Sequence, residues 1–113
     1  MVRLAPSEYY RFVQACPGSM DLTFGGAESS VAASVSMLGG SSRFVSALPQ
    51  HAIADAFVRQ MRGFKVDVDH VLRREAGRFG IYYVETGANQ RPSRVIYDRD
   101  YSAVSICPGE EYD

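Results

Sequence analysis

Apolar and polar positions change their spacing along the chain, and each spacing predicts a different element. In the opening MVRLAP, Val2 and Leu4 alternate with Arg3 until Pro6 ends the run, which predicts a very short strand. The stretch SEYYRFVQACPGSM has no period and is read as irregular. DLTF then predicts another short strand, running into the glycine pair Gly25 and Gly26. From Ala27 the spacing turns helical. Val31, Val35 and Leu38 recur at intervals of four and three, predicting one helical face, until Gly39 and Gly40 stop it. The rest of this helix is Ala and Ser, which predicts that something packs closely on it.

SRFVSAL reads as a compact apolar strand of a parallel sheet, and LPQHAIADAFVRQMRGF as an amphipathic helix with Ile53, Phe57 and Met61 on its inner face. Asp55 and Arg59, four apart, are placed on its outer side as a helix-supporting pair. This strand and helix rhythm belongs to a parallel α/β layer. The rhythm then breaks. RFGIYYVE and SRVIYDR alternate, are rich in aromatics, and are joined by TGANQRP, whose Gly, Asn and Pro make a loop. They predict an antiparallel hairpin, and a hairpin appended to an α/β layer suggests a flap over a small-molecule site.

Composition narrows the class without naming it. A chain of 113 residues fits one domain and buries roughly two-thirds of the surface its unfolded form exposes. Its 46% hydrophobic content and net charge of −1 exclude a disordered chain and give no footprint for nucleic acid. No apolar run approaches the ~18 residues of a membrane helix and no signal peptide opens the chain, so the default location is cytoplasmic, with no membrane partner. Cys16 and Cys107 have no metal-ligand spacing and read as two reduced thiols; no metal site is expected. His51 and His70 read as exposed polar residues, and the arginines of VLRREAGR and QRPSR as a solvated face.

The glycine pair before the helix permits two readings. It is a turn that exploits positive φ, or it is a helix start whose free N–H groups hold a polar or anionic small molecule. Longer segments add to this. VRLAP, RFVQA, TFGGAES, FVSALP, GIYYVETGANQRPSRVIYDR and SA, in that order and spacing, resemble the N-terminal part of the PfkB (ribokinase-like) sugar kinases. Within that family they most resemble the 2-keto-3-deoxygluconate kinases. The resemblance covers nearly all of the chain, and ETGANQRPSRVIYDR is its most specific part.

The resemblance implies an α/β fold: part of a ribokinase-like parallel sheet with flanking helices, plus an antiparallel β-hairpin lid. It implies one N-terminal piece of a kinase domain, with its α/β part at about 1–72 and 103–113 and its lid at about 73–102. It implies ATP with Mg2+ as phosphoryl donor and a keto sugar acid as acceptor. The family's glycine-rich anion hole, catalytic Asp and nucleotide pocket fall beyond Asp113, so no catalytic, cofactor-binding or metal-binding residue is expected in this chain. By position, Gly25, Gly26, Ala27, Glu28 and Ser30 would line the sugar pocket, and Tyr82, Tyr97 and Arg99 would reach it from the lid.

Physical chemistry accommodates these roles. Tyr97 and Arg99 are two apart on one strand and share a face, and the arginine fork suits a carboxylate. On its residues alone, Arg99 is better read as an ion-pair partner of Asp98, Asp100 or another surface acid; the resemblance favours the substrate role. Tyr82 is either lid core or a hydroxyl for a substrate oxygen, and Glu28 either serves the site or complements the helix dipole. The chain departs from the family at Ser30, where Asn is expected, and at Ala54 and Lys65, where Gly is usual or frequent. The lid is finally expected to join a second copy, covering Ile81, Tyr83 and Ile96 in a homo-oligomer.

Overall fold

A computed structural model describes residues 1–112. In chain order the elements are β1 (Val2–Ala5), α1 (Phe12–Ala15), β2 (Asp21–Phe24), α2 (Ala27–Met37), β3 (Ser46–Pro49), α3 (Ala52–Gly63), β4 (Val71–Arg74), β5 (Ile81–Glu85), β6 (Arg94–Asp98) and α4 (Ala103–Ile106), then a 3-10 turn (Gly109–Tyr112). The chain divides into two compact units, Met1–Gly25 with Gly80–Arg99, and Gly26–Phe79 with the segment from Asp100 onward.

The first unit is a four-stranded sheet in the order β2-β1-β5-β6. β1 runs antiparallel to β2 and parallel to β5, and β5 and β6 form the predicted antiparallel hairpin. Register sets the chemistry of each face. Leu22, Leu4, Tyr83 and Ile96 stand opposite one another across all four strands, so they share a face. Thr23, Arg3, Tyr82 and Tyr97 make the corresponding row on the other. VRLA and DLTF therefore extend the hairpin's sheet and do not join SRFVSAL in the parallel layer. The units divide after Gly25, before Gly80 and after Arg99.

SEYYRFVQACPGSM, predicted to be irregular, contains the single helical turn α1, too short for any period to show. It is held by long-range bonds. Phe12 N donates to Glu85 Oε2 at 2.9 Å, and Arg91 Nη2 donates to the Tyr9 carbonyl at 2.7 Å.

In the second unit, β3 and β4 pair in parallel, joined through α3. The helix buries Ala54, Phe57, Val58 and Met61, while Ile53, in its first turn, is left exposed. Phe57 meets Phe44 and Phe79 edge-on, with centroids 5.7 and 5.8 Å apart. His51 is exposed, as expected, and also caps α3: its Nδ1 accepts from Ala54 N at 3.2 Å, and its ring stacks on Phe79. Asp55 pairs with Arg73 of β4 at 2.6 Å and not with Arg59, so the ion pair ties helix to strand. Arg74 pairs with Glu111, and Arg78 Nε donates to the Asp100 carbonyl at 2.6 Å. The arginines of VLRREAGR thus form β4 and its anchors, where a solvated face was expected.

Helix α2 spans the predicted residues but presents a different face. Ser29, Ala32 and Ser36 are its buried positions, whereas Val31 and Leu38 are exposed at 63% and 89%. Small residues let the loop after the helix come close enough for hydroxyl bonding. Ser42 Oγ donates to the Ala32 carbonyl at 2.7 Å and lies 2.5 Å from Ser36 Oγ.

Candidate functional site

Four of the residues singled out in the sequence gather in the four-stranded unit. Gly25 continues the β1–β2 ladder, its N donating to the Met1 carbonyl at 2.9 Å. The Tyr82 phenol lies directly over it. A Cβ at Gly25 would collide with the Tyr82 hydroxyl and stand only 3.0 Å from Cζ, so glycine is required for this close approach. Tyr82 faces Tyr97 across the hairpin, with ring centroids 6.2 Å apart. Arg99 lays its guanidinium over the Tyr97 ring, 4.5 Å from the centroid.

Among the described residues Arg99 forms no ion pair with Asp98 or Asp100. Stacking on Tyr97 orients the fork and leaves its donors available, the condition under which an arginine recognises a carboxylate. Tyr97 is more than half exposed and Tyr82 half-buried, so both rings are open to a ligand on this face.

The other predicted residues open α2 in the second unit. Gly26 is the N-cap, with φ 145° and ψ 137°, a conformation that excludes side chains. Its carbonyl accepts from Ser30 N at 3.0 Å and from Ser29 Oγ at 3.1 Å. Glu28 lies in the first turn, where its charge complements the helix dipole, and its side chain, like those of Ala27 and Ser30, is exposed. The serine that fixes the turn is Ser29, a residue the sequence reading passed over. Its signal was a hydroxyl three positions after the N-cap, on the face that carries Ala32 and Ser36.

Among the described residues, no three His, Cys, Asp or Glu are grouped to hold a metal ion. No helix is long and apolar enough to cross a membrane. Cys16 and Cys107 are both free.

The α/β frame is shared with known proteins. The chain is 36% identical over 111 residues to a 2-dehydro-3-deoxygalactonokinase of Haloferax volcanii, covering 98% of this chain and 34% of that protein. Among solved structures, the 2-dehydro-3-deoxygluconokinase of Thermotoga maritima superposes with a TM-score of 0.93 at 42% identity, over 100% of this chain and 34% of that one. A PfkB family carbohydrate kinase from Listeria grayi gives 0.88 at 30% identity, over 95% of this chain and 32% of its own. The chain thus spans about a third of the length of these relatives. The pattern of the pfkB family carbohydrate kinases matches residues 9–106, most of the sequence, and the chain belongs to that family.

Proposed function

We propose that this chain carries acceptor recognition for an ATP-dependent kinase acting on a 2-keto-3-deoxy sugar acid. The observation that carries the reading is the run of contacts from Gly25 through Tyr82 and Tyr97 to Arg99. In it, hydroxyl groups suited to a sugar adjoin a stacked, unpaired arginine suited to a carboxylate. A neutral sugar would leave that arginine's donors unused, so the pair of chemistries favours a sugar acid over a fructose-like acceptor. Two of the three related kinases above are named 2-dehydro-3-deoxygalactonokinase and 2-dehydro-3-deoxygluconokinase, in keeping with this assignment.

In this reading Arg99 binds the carboxylate, Tyr82 and Tyr97 bond sugar oxygens and cover the ligand, and Gly25 and Gly26 let the ligand approach the backbone. Ala27, Glu28 and Ser30 contribute the helix start, Ser30 with a single hydroxyl where an amide would offer more bonds. ATP supplies the phosphoryl group, its charge neutralised by Mg2+. No residue of this chain is assigned to nucleotide, metal or catalytic base, and no step is routed through them. The same reading places the protein in the cytoplasm, where ATP is available, and pairs two copies through the exposed face of the four-stranded sheet.

The test is Arg99→Ala, with affinity for the sugar acid and for a neutral sugar measured by calorimetry. Loss of a charge-assisted bond costs about 1.5–3 kcal/mol, so the sugar acid should weaken about tenfold or more while the neutral sugar changes little. Equal losses for the two ligands would remove Arg99 from carboxylate recognition.

A further inference from the structure

At the opposite end of the hairpin from Arg99, where Glu85 and Arg94 face each other in register, the first unit has a cavity. It measures about 390 Å³ and is lined by Arg11, Phe12, Val13, Glu85, Arg91, Pro92 and Arg94. That volume lies in the range of small-molecule sites. None of these residues is used in acceptor recognition.

The charges around the cavity do not cancel. Glu85 is its one acid, 5% exposed, and its Oε2 is engaged by Phe12 N at 2.9 Å. Although Arg94 stands directly opposite Glu85 on the neighbouring strand, the two form no ion pair. Arg91 is anchored by two carbonyls, Tyr9 at 2.7 Å and Thr86 at 3.2 Å, which fix its guanidinium without neutralising it. Arg11 and Arg94 have no ion-pair partner among the described residues. Three guanidinium groups against one carboxylate leave the lining with two uncompensated positive charges.

Such an arrangement costs stability through mutual repulsion unless a counter-charge enters. An arginine fork donates to two oxygens of a planar or tetrahedral oxyanion, and several forks around one cavity suit a doubly charged group better than a single carboxylate. Phe12, Val13 and Pro92 supply an apolar wall for the uncharged remainder of a ligand. We infer that this cavity is a binding site for a small phosphate monoester, separate from the acceptor site and filled by its dianionic phosphate.

The probes are glucose 6-phosphate and glucose, titrated calorimetrically into the protein, with inorganic phosphate as a third ligand. Glucose 6-phosphate and inorganic phosphate should bind saturably and glucose should not. Arg11→Gln and Arg94→Gln, both at exposed side chains, should each weaken the phosphate ligands about tenfold. Glu85→Gln keeps an acceptor for Phe12 N and removes the only negative charge, so it should strengthen them. Arg99→Ala should leave them unchanged, which separates this site from the acceptor site. Absence of saturable phosphate binding, or binding indifferent to Arg11 and Arg94, would overturn the proposal. So would a loss with Arg99→Ala equal to that with Arg94→Gln. If Glu85→Gln unfolds the protein, the two arginine variants and the glucose comparison decide.

Discussion

The hydroxyl of Tyr82 and the α-carbon of Gly25 leave no room between them for a methyl group. A Cβ at Gly25 would meet the hydroxyl, then Cζ at 3.0 Å and Cε1 at 3.3 Å, so three atoms of one rigid ring oppose it. Gly25→Ala should therefore displace the whole Tyr82 ring and destabilise the protein by about 1–3 kcal/mol, the usual range for overpacking. The partner change isolates the cause. In Tyr82→Ala the space is already open, so adding Gly25→Ala should cost much less than it does alone. Denaturant unfolding of both single variants and the double variant measures this, and strictly additive losses would place the strain elsewhere.

A second expectation concerns the end of α3. Lys65 adopts φ 65°, its N donates to the Arg62 carbonyl at 2.9 Å, and Val66 N reaches back to the Met61 carbonyl at 3.1 Å. This is the left-handed helix stop that glycine favours, with the buried Val66 and Met61 as its apolar pair. The left-handed region costs a residue with a Cβ about 1–2 kcal/mol, offset in part by glycine's greater entropy when unfolded. Lys65→Gly should raise stability by up to about 1 kcal/mol. A decrease in the urea midpoint would show that the lysine side chain contributes more than its backbone loses.

Lys65 also illustrates what could be read before the fold was known. The sequence marked it as a position where related kinases often carry glycine, yet gave no reason; the positive φ supplies one. The hairpin, β1, β2, α2 and α3 were legible because their periods run over several residues. Helix α2 was legible in extent but not in orientation. Val31, Val35 and Leu38 keep helical spacing, but Ser29, Ala32 and Ser36 keep it equally well, and the small set wins because Ser42 must come within hydroxyl contact. β4 was hidden because Arg73 and Arg74 follow its two apolar residues, and its arginines find partners only in three dimensions, at Asp55 and Glu111. The residues proposed for the acceptor site came from family resemblance, whereas the stacking of Arg99 on Tyr97 became visible only in the structure.

Acid should act through Asp67. Its Oδ1 accepts from Asp69 N at 2.9 Å and its Oδ2 from Arg43 Nε at 2.7 Å. The Asp69 amide first, and the Arg43 guanidinium after it, hold the carboxyl below its ordinary value of 3.8. A carboxyl depressed on folding adds stability that is present above the unfolded value and is lost as pH falls through the lower folded one. Asp67→Asn should therefore lower the unfolding midpoint near neutral pH, and the deficit should shrink at acid pH as the native carboxyl takes up its proton. An equal deficit at both pH values would mean that shape, not charge, is what Asp67 contributes.

The final prediction concerns the face carrying Leu22, Leu4, Tyr83 and Ile96. These four side chains cross every strand of the sheet, and at its two edge strands Leu22 and Ile96 remain 47% and 52% exposed. An apolar row half-buried at its centre and open to water at both edges favours association. A second copy is a fitting cover because a two-fold contact lets the same row face itself, matching apolar to apolar without new chemistry. Tyr83 sits inside the row and Ile96 at its rim, so they probe the contact differently. Ile96→Lys puts a charge on an already exposed position, which the monomer tolerates and a self-facing contact does not, since two like charges would meet across the axis. Sedimentation at micromolar concentration should show a dimer for the native chain, a monomer for Ile96→Lys, and the same for Tyr83→Lys wherever that variant remains folded. A charge at Val95, on the opposite face of the same strand, should leave the dimer intact. A native monomer, or a dimer that survives Ile96→Lys, would rule out this face as the contact.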